Sequence, residues 1–305
     1  MRILITGHRG FVGRAFLRML APLMSGPNAA EVIGVDIVEG TDCRDFFKTC
    51  HDRFDLVIHL AAIIGGRLLI DGKPLSVADD LSIDAEMFQW ALRTRPGNLV
   101  YFSSSAAYPV EKQMSPHSGL VESDIDLGRI ANPDMTYGWV KLTGEYLASF
   151  AKEAGIKVFV FRPFSGYGAD QDLDYPFPAF IKRAIERQDP FEIWGDGTQT
   201  RDFIHVDDIV RAVWAVVTDP ADDIFRDCNP CNLCTGRETS FNELAKLVTR
   251  TVGYEPEIRH LRNMPQGVRY RHGNPERMLR FFKPRISLEE GIRQAIQSKR
   301  IRGSE

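Results

Sequence analysis

An apolar run, Ile3-Leu4-Ile5, breaks at once into a loop with glycines at 7, 10 and 13 and then into a helical pattern from Phe11 to Leu23. This reads as a buried strand turning sharply into a helix. Gly7 permits the tight turn, Gly10 lets backbone approach a pyrophosphate, and Gly13 lets helix and strand pack closely. Phosphates would lie at the helix N-terminus, where unpaired N–H groups and the helix dipole favour anions. A three-glycine turn alone can serve any strand-to-helix junction. Here a second apolar run, Val32-Ile33-Gly34-Val35, ends in Asp36, about twenty residues on, where an adenosine ribose 2′-hydroxyl would be held. Asp36 would repel a 2′-phosphate and so favours NAD over NADP, while Arg9 and Arg44 keep NADP open.

Strand and helix patterns alternate through the first half. Candidate strands are 2–6, 31–36, 55–60, 98–103 and 156–162, and candidate helices are 11–24, 79–93 and 135–154. Such alternation implies βαβ units and an α/β fold: a Rossmann-like, doubly wound parallel sheet with helices on both faces. After Arg162-Pro163 the texture changes. Pro176 and Pro178 punctuate a loop-and-helix region, Trp194-Gly-Asp-Gly is a turn, and Asp207 to Val217 returns to a helix capped by aspartates. The expected division is an NAD-binding domain of 1–163 plus 204–235, and a smaller substrate-binding domain of 164–203 plus 236–305.

The chain has 305 residues, a formal charge of -3 and 26% charged residues spread along its length, with no basic block to suggest nucleic acid. No apolar run is long enough to cross a membrane, and the N-terminus enters a strand directly, so no signal peptide is expected. A cytoplasmic enzyme fits these features. The five cysteines do not form a disulfide framework. Cys228, Cys231 and Cys234 resemble part of a metal set, but no fourth cysteine follows nearby. The run from Cys231 reads as a short buried strand before a turn, so no metal is expected.

Thr136-Tyr137-Gly-Trp-Val-Lys141 places a phenol and an ammonium four residues apart, on one face of a helix. A phenol with its ordinary pKa near 10 is a poor base at neutral pH, and a neighbouring lysine favours the phenolate. Helices supply this spacing by chance. Here, however, Ser103-Ser104-Ser105 closes an apolar strand, where hydroxyls at a carboxyl edge face the ligand crevice.

Together these motifs make the chain resemble the extended short-chain dehydrogenase/reductases, in their NAD-dependent nucleotide-sugar epimerase/dehydratase branch. The resemblance runs almost end to end. It rests on Thr6-Gly-His-Arg-Gly-Phe-Val-Gly13, Asp36, Asp42-Cys-Arg-Asp45, His59-Leu-Ala-Ala62 and Ser103 to Pro109. It continues through Tyr137-x-x-x-Lys141, Arg162-Pro163, Gly166-Tyr-Gly168 and Thr200 to Asp207. It implies Tyr137 as general base, Lys141 as its partner and ribose ligand, and Ser104, four residues before Tyr108, as the third member. It also implies that Gly7, Arg9, Gly10, Phe11, Val12, Gly13, Asp36, Leu60 and Pro163 line the NAD site. Asp42 and Cys43 would flank the adenine, and Ala61 and Ala62 the pyrophosphate. Ser105, Ala106 and Ser165 would face substrate, with Arg201 on its diphosphate as a bidentate donor. The texture is closest to GDP-mannose 3,5-epimerase and GDP-fucose synthase, through Ala61 to Gly66, Tyr108-Pro109 and Gly267-Val-Arg269. That last motif suggests Arg269 as a second diphosphate ligand. The implied partner is a GDP- or UDP-linked sugar, and a homodimer is expected through helices near 79–93 and 135–154. Met87, Trp90, Val140 and Leu147 could serve that contact or the core.

Departures from the family pattern bear on the reaction. The 4,6-dehydratases carry Asp-Glu after the triad hydroxyl, where this chain has Ser105-Ala106. The 3,5-epimerases carry Cys at the position of Ala106, and a Lys or His in the loop where Gln171 to Tyr175 offers acids and amides. A decarboxylase would want Glu at 106. Chemistry needing only the triad and a hydride remains: oxidation at C4, rotation of the ketone and hydride return, a 4-epimerase. A dehydratase or a 4-keto sugar reductase is the alternative, with Asp172, Asp174 or Glu111 supplying the missing acid. Ser165 stands where the family usually has an Asn that contacts the nucleotide-sugar, and Gly273-Asn-Pro275 replaces a common acidic turn. His205 is expected to pack or hydrogen-bond rather than to catalyse, and His117 is a further imidazole to place.

Overall fold

The structure, a computed structural model, describes residues 1–63, 65, 70, 72–219, 226 and 229–302. Its centre is a six-stranded sheet in the order β10-β5-β4-β3-β1-β2, every neighbouring pair parallel. The strands are β1 (Arg2–Thr6), β2 (Glu31–Val35), β3 (Leu56–His59), β4 (Asn98–Phe102), β5 (Val158–Pro163) and β10 (Cys231–Leu233). Between them run α1 (Phe11–Leu20), α2 (Cys43–Thr49), α3 (Ser76–Thr94), α4 (Met135–Glu153) and, before β10, α6 (Val206–Val217). The alternating expectation is met, with end shifts of a few residues. The helix α1 stops at Leu20 because Ala21-Pro22 turns the chain into a short 3₁₀ segment.

Both faces of the sheet are buried, which explains why its strands read as continuous apolar runs. Side chains alternate between two cores: Ile3, Ile5, Ile58, Val100 and Phe161 pack with α1 and α6, while Leu4, Val57, Leu99 and Val160 pack with α2, α3 and α4. Met87 and Trp90 lie in the second of these cores and Val140 is likewise fully buried. Of the two roles open to them, the core is the one they take. The Trp90 ring is 5.2 Å from Phe47, and its indole N–H donates to Cys50 O at 3.1 Å.

A third core gathers the later segments. It packs α5 (Pro176–Ile185), α7 (Phe241–Val252) and α9 (Leu288–Arg302) with β7 (Phe191–Trp194), around Tyr167, Phe177, Phe191 and Phe203. Short strands tie it to the main body: β6 (Ser165–Tyr167) pairs in parallel with β9 (Phe203–His205), directly after β5 and before α6. Cys231 and Cys234 are buried at β10, and Cys228 lies outside the described residues. Among the described residues no helix is long and apolar enough to cross a membrane.

Candidate active site

A cleft of about 900 Å³ opens at the carboxyl ends of β1, β3, β4 and β5, between the sheet and the third core. In open α/β sheets this edge, where strand order reverses beside β1, is the ligand-binding crevice. Gly7 turns the chain with φ +71°, and a Cβ there would lie 2.8 Å from Ala61 N. At Gly13 a Cβ would sit 2.4 Å from Gly7 O, so helix and loop can approach only through glycine. The helix α1 has no side chain capping its N-terminus, and the cleft reaches Gly7, Gly10, Phe11, Val12 and Gly13 there. Leu60, Ala62 and Pro163 complete this end.

Asp36 is buried and holds the loop: its carboxylate accepts Arg9 N at 2.8 Å and Val38 N at 3.0 Å. The cations that left NADP open are engaged elsewhere. Arg9 pairs with Glu39, and Arg44 grips Asp42 with bonds of 2.6 to 3.1 Å. The hydrogen bonds from Arg44 hold Asp42 below the ordinary carboxylate pKa, against the cost of partial burial. Cys43 is buried, its thiol pushed up to about 12 by that burial, and neither it nor Asp42 lines the cleft. A glycine cradle that no side chain could share and a buried acid beyond it fit a dinucleotide with a free 2′-hydroxyl.

Tyr137 and Lys141 both enter the cleft from the first turns of α4. Lys141 Nζ lies 5.6 Å from the centre of the Tyr137 ring and 5.2 Å from that of Tyr101. Burial raises the Tyr137 phenol above its usual pKa, and the charges of Asp80 and Asp84 raise it further. Asp80 itself is pushed up to about 6 by burial, although its carboxylate accepts Ile63 N. Ser104 faces the cleft and caps the next turn, its Oγ accepting Ala106 N at 3.1 Å. Ser105, Ala106 and Ser165 line the same floor. Tyr137 follows Met135, a non-glycine residue at φ +60° that also lines the cleft, a strained entry into the helix.

Arg201 reaches the cleft from β8 (Thr200–Arg201), donating to Thr200 O and Val268 O. Arg269 does not line it: its guanidinium faces Asp196 and Thr198 at 3.4 Å, and Arg271 of the short strand Tyr270–Arg271 lines the cleft instead. Other lining residues carried no motif signal. Arg183, half-buried beside Phe180, sits at the far end with Trp194. Tyr175, from the loop before α5, faces the same space as Tyr137; burial raises its pKa, and Tyr137, Asp172 and Asp174 raise it further. That loop therefore contributes a phenol as well as acids and amides. His205 caps α6, its Nδ1 accepting Asp207 N at 3.2 Å, and His117 stacks on His272 with ring centres 4.5 Å apart. Neither lines the cleft.

A dinucleotide cradle at the edge of a parallel sheet, facing a paired tyrosine and lysine, defines a nicotinamide-dependent enzyme of the short-chain dehydrogenase type. The chain belongs to the NAD dependent epimerase/dehydratase family, whose model matches residues 3–229. It is 27% identical over 308 residues to GDP-L-fucose synthase of Sinorhizobium fredii, covering 97% of this chain and 95% of that protein. It is 28% identical over 317 residues to GDP-mannose 3,5-epimerase 1 of Oryza sativa subsp. indica, covering 96% of this chain and 80% of that one. Among solved structures, the dTDP-glucose 4,6-dehydratase DesIV of Streptomyces venezuelae, with NAD bound, superposes with a TM-score of 0.83. It is 20% identical, covering 100% of this chain and 98% of that one. NAD is thus the cofactor of this family, and the relatives are named for GDP- and dTDP-linked sugars.

Proposed function

We propose that the protein is a nucleotide-sugar epimerase acting at C4 through a transient 4-keto intermediate. The observation that carries this reading is the floor of the cleft: Ser105 and Ala106 stand beside Tyr137 with neither carboxylate nor thiol. Bound NAD would supply the acceptor, and then the donor, of the C4 hydride. Tyr137 takes the C4 hydroxyl proton and later returns it, with Lys141 stabilising the phenolate. Ala106 leaves room for the ketone to turn its other face toward the hydride. Arg201 would hold the diphosphate, joined by Arg269 if its pair with Asp196 opens. Segments 164–203 and 236–305 would form the sugar-nucleotide side of the site. Purified protein given a panel of GDP- and UDP-sugars should yield a C4 epimer, read by NMR, while retaining its NAD. Net accumulation of reduced cofactor, with no epimer from any sugar, overturns the proposal.

A second reading rests on Tyr175, a neutral phenol in the same cleft as Tyr137. A proton donor there suits chemistry beside the ketone, as in a 3,5-epimerase or a dehydratase. Turnover in deuterium oxide separates the two: a 4-epimerase leaves every carbon-bound hydrogen in place, whereas the second reading introduces deuterium next to C4.

The outer side of α4 carries the exposed Trp139, Tyr146 and Phe150, the latter two in edge contact at 4.9 Å. We place a second copy of the chain on this face to form a homodimer.

A further inference from the structure

Beneath Lys141 lies a carboxylate that no step above uses. Asp84, on α3, is 2% exposed. Its Oδ2 accepts the Tyr101 hydroxyl at 2.5 Å, and its Oδ1 lies 3.2 Å from His59 Nε2. The other ring nitrogen, His59 Nδ1, is 2.8 Å from Thr6 Oγ1. That hydroxyl oxygen already accepts from Leu60 N at 3.3 Å and Ala61 N at 3.4 Å, so its own proton goes to Nδ1. Nε2 then keeps its hydrogen and donates to Asp84. The result is a buried hydrogen-bonded line from Thr6 through His59 to the Asp84 carboxylate.

A carboxylate at this depth needs a counter-charge. Lys141, itself 4% exposed, provides it from α4, with its Nζ over the Tyr101 ring that bonds the same carboxylate. Burial works against ionisation of Asp84, but the field of Lys141 and the bonds from His59 and Tyr101 outweigh it and hold its pKa low. The far end of the chain, Thr6 with Leu60 and Ala61, lies where β1 and β3 run into the glycine cradle, and the cleft touches Gly7 and Leu60 there.

We propose that Asp84 is the fixed counter-ion of Lys141, a positioning residue that seats the ammonium beside Tyr137 and ties it, through His59 and Thr6, to the loop that receives the dinucleotide. This rests on reading Tyr137 and Lys141 as the acid–base pair. The other titratable groups meeting here are Asp80 from α3, which also acts on Tyr137, and Glu145 from α4, which acts on Tyr101. Cys43 of α2 stays a neutral thiol, and Tyr175 faces Tyr137 from across the cleft.

The test titrates the Tyr137 phenolate in the NAD-loaded protein, by ultraviolet difference against Tyr137→Phe in the same background. Asp84→Asn keeps the shape and removes the charge. If Asp84 seats Lys141, the Tyr137 midpoint should rise by about one pH unit, because the ammonium is no longer held beside the phenolate. A fall, the bare effect of removing a negative charge, means that Lys141 keeps its place without Asp84 and overturns the proposal. Asp84→Glu should restore the midpoint. A midpoint unmoved in folded Asp84→Asn overturns the proposal. Should that variant fail to fold, His59→Val leaves Asp84 charged and cuts its link to Thr6. It should weaken NAD retention several-fold with the midpoint in place, and unchanged retention overturns the tie to the loop. The titration reads Tyr137 whether or not a sugar turns over. Absent turnover in Asp84→Asn or wild type would therefore bear on the acid–base reading and leave the counter-ion result standing.

Discussion

The carboxylate of Asp36, at the end of β2, accepts the backbone N–H of Arg9 at 2.8 Å, so the acid that the sequence assigns to a ribose also fixes the loop that it assigns to phosphates. The two parts of the cradle are one hydrogen-bonded unit. Glu39 occupies Arg9, and Asp42 occupies Arg44, so the nearest cations are already neutralised.

Asp36→Ala should therefore lose NAD affinity by roughly tenfold to a hundredfold, through the lost ribose contact and a looser loop. It should not gain tight NADP binding, because neither arginine is released. Calorimetric titration with both dinucleotides checks this, and nanomolar NADP binding by the variant would contradict it.

Tyr137→Phe removes the proton acceptor and leaves the packing of α4 unchanged. Its turnover should fall by about a hundredfold to ten-thousandfold, with NAD still bound. Single-turnover reduction of NAD, followed by absorbance with each nucleotide sugar, measures it. Tyr175→Phe should lose much less if the reaction is confined to C4.

Burial lifts Asp80 to about 6, above its value in the unfolded chain. A raised acid binds more protons folded than unfolded, so stability falls as pH rises from about 4 to about 6 and then levels. Asp80→Asn keeps an acceptor for Ile63 N and removes the buried charge. At neutral pH it should gain about 1–2 kcal/mol, a benefit that vanishes near pH 4. Thermal denaturation across that range tests both the sign and the window.

Trp139→Glu places a charge in the exposed aromatic row of α4. Sedimentation should show the wild type as a dimer and the variant shifted to monomer, while the folded spectrum is kept. A wild type that sediments as a monomer at every concentration would remove the homodimer.

The features legible in the sequence are those set by neighbours along the chain. Glycines at 7, 10 and 13 mark a turn whose geometry is local, Asp36 follows its own strand, and Tyr137 and Lys141 share a helix face by spacing alone. The parallel sheet was legible because two-sided burial leaves uninterrupted apolar strands. Residues joined only by packing were not. Tyr175 and Arg183 reach the cleft because the third core carries α5 to its side. Arg271 rather than Arg269 faces the cleft because Arg269 lies before the strand and its guanidinium is drawn to Asp196 and Thr198. Whether Met87 and Trp90 faced a partner or the core depended on the rotation of α3 against the sheet. The same rotation buries Asp84 next to His59 and Tyr101. Sequence by itself determined the glycine cradle and the shared helix face of Tyr137 and Lys141; tertiary packing decided what surrounds them, because burial and charge pairing belong to distant segments brought together.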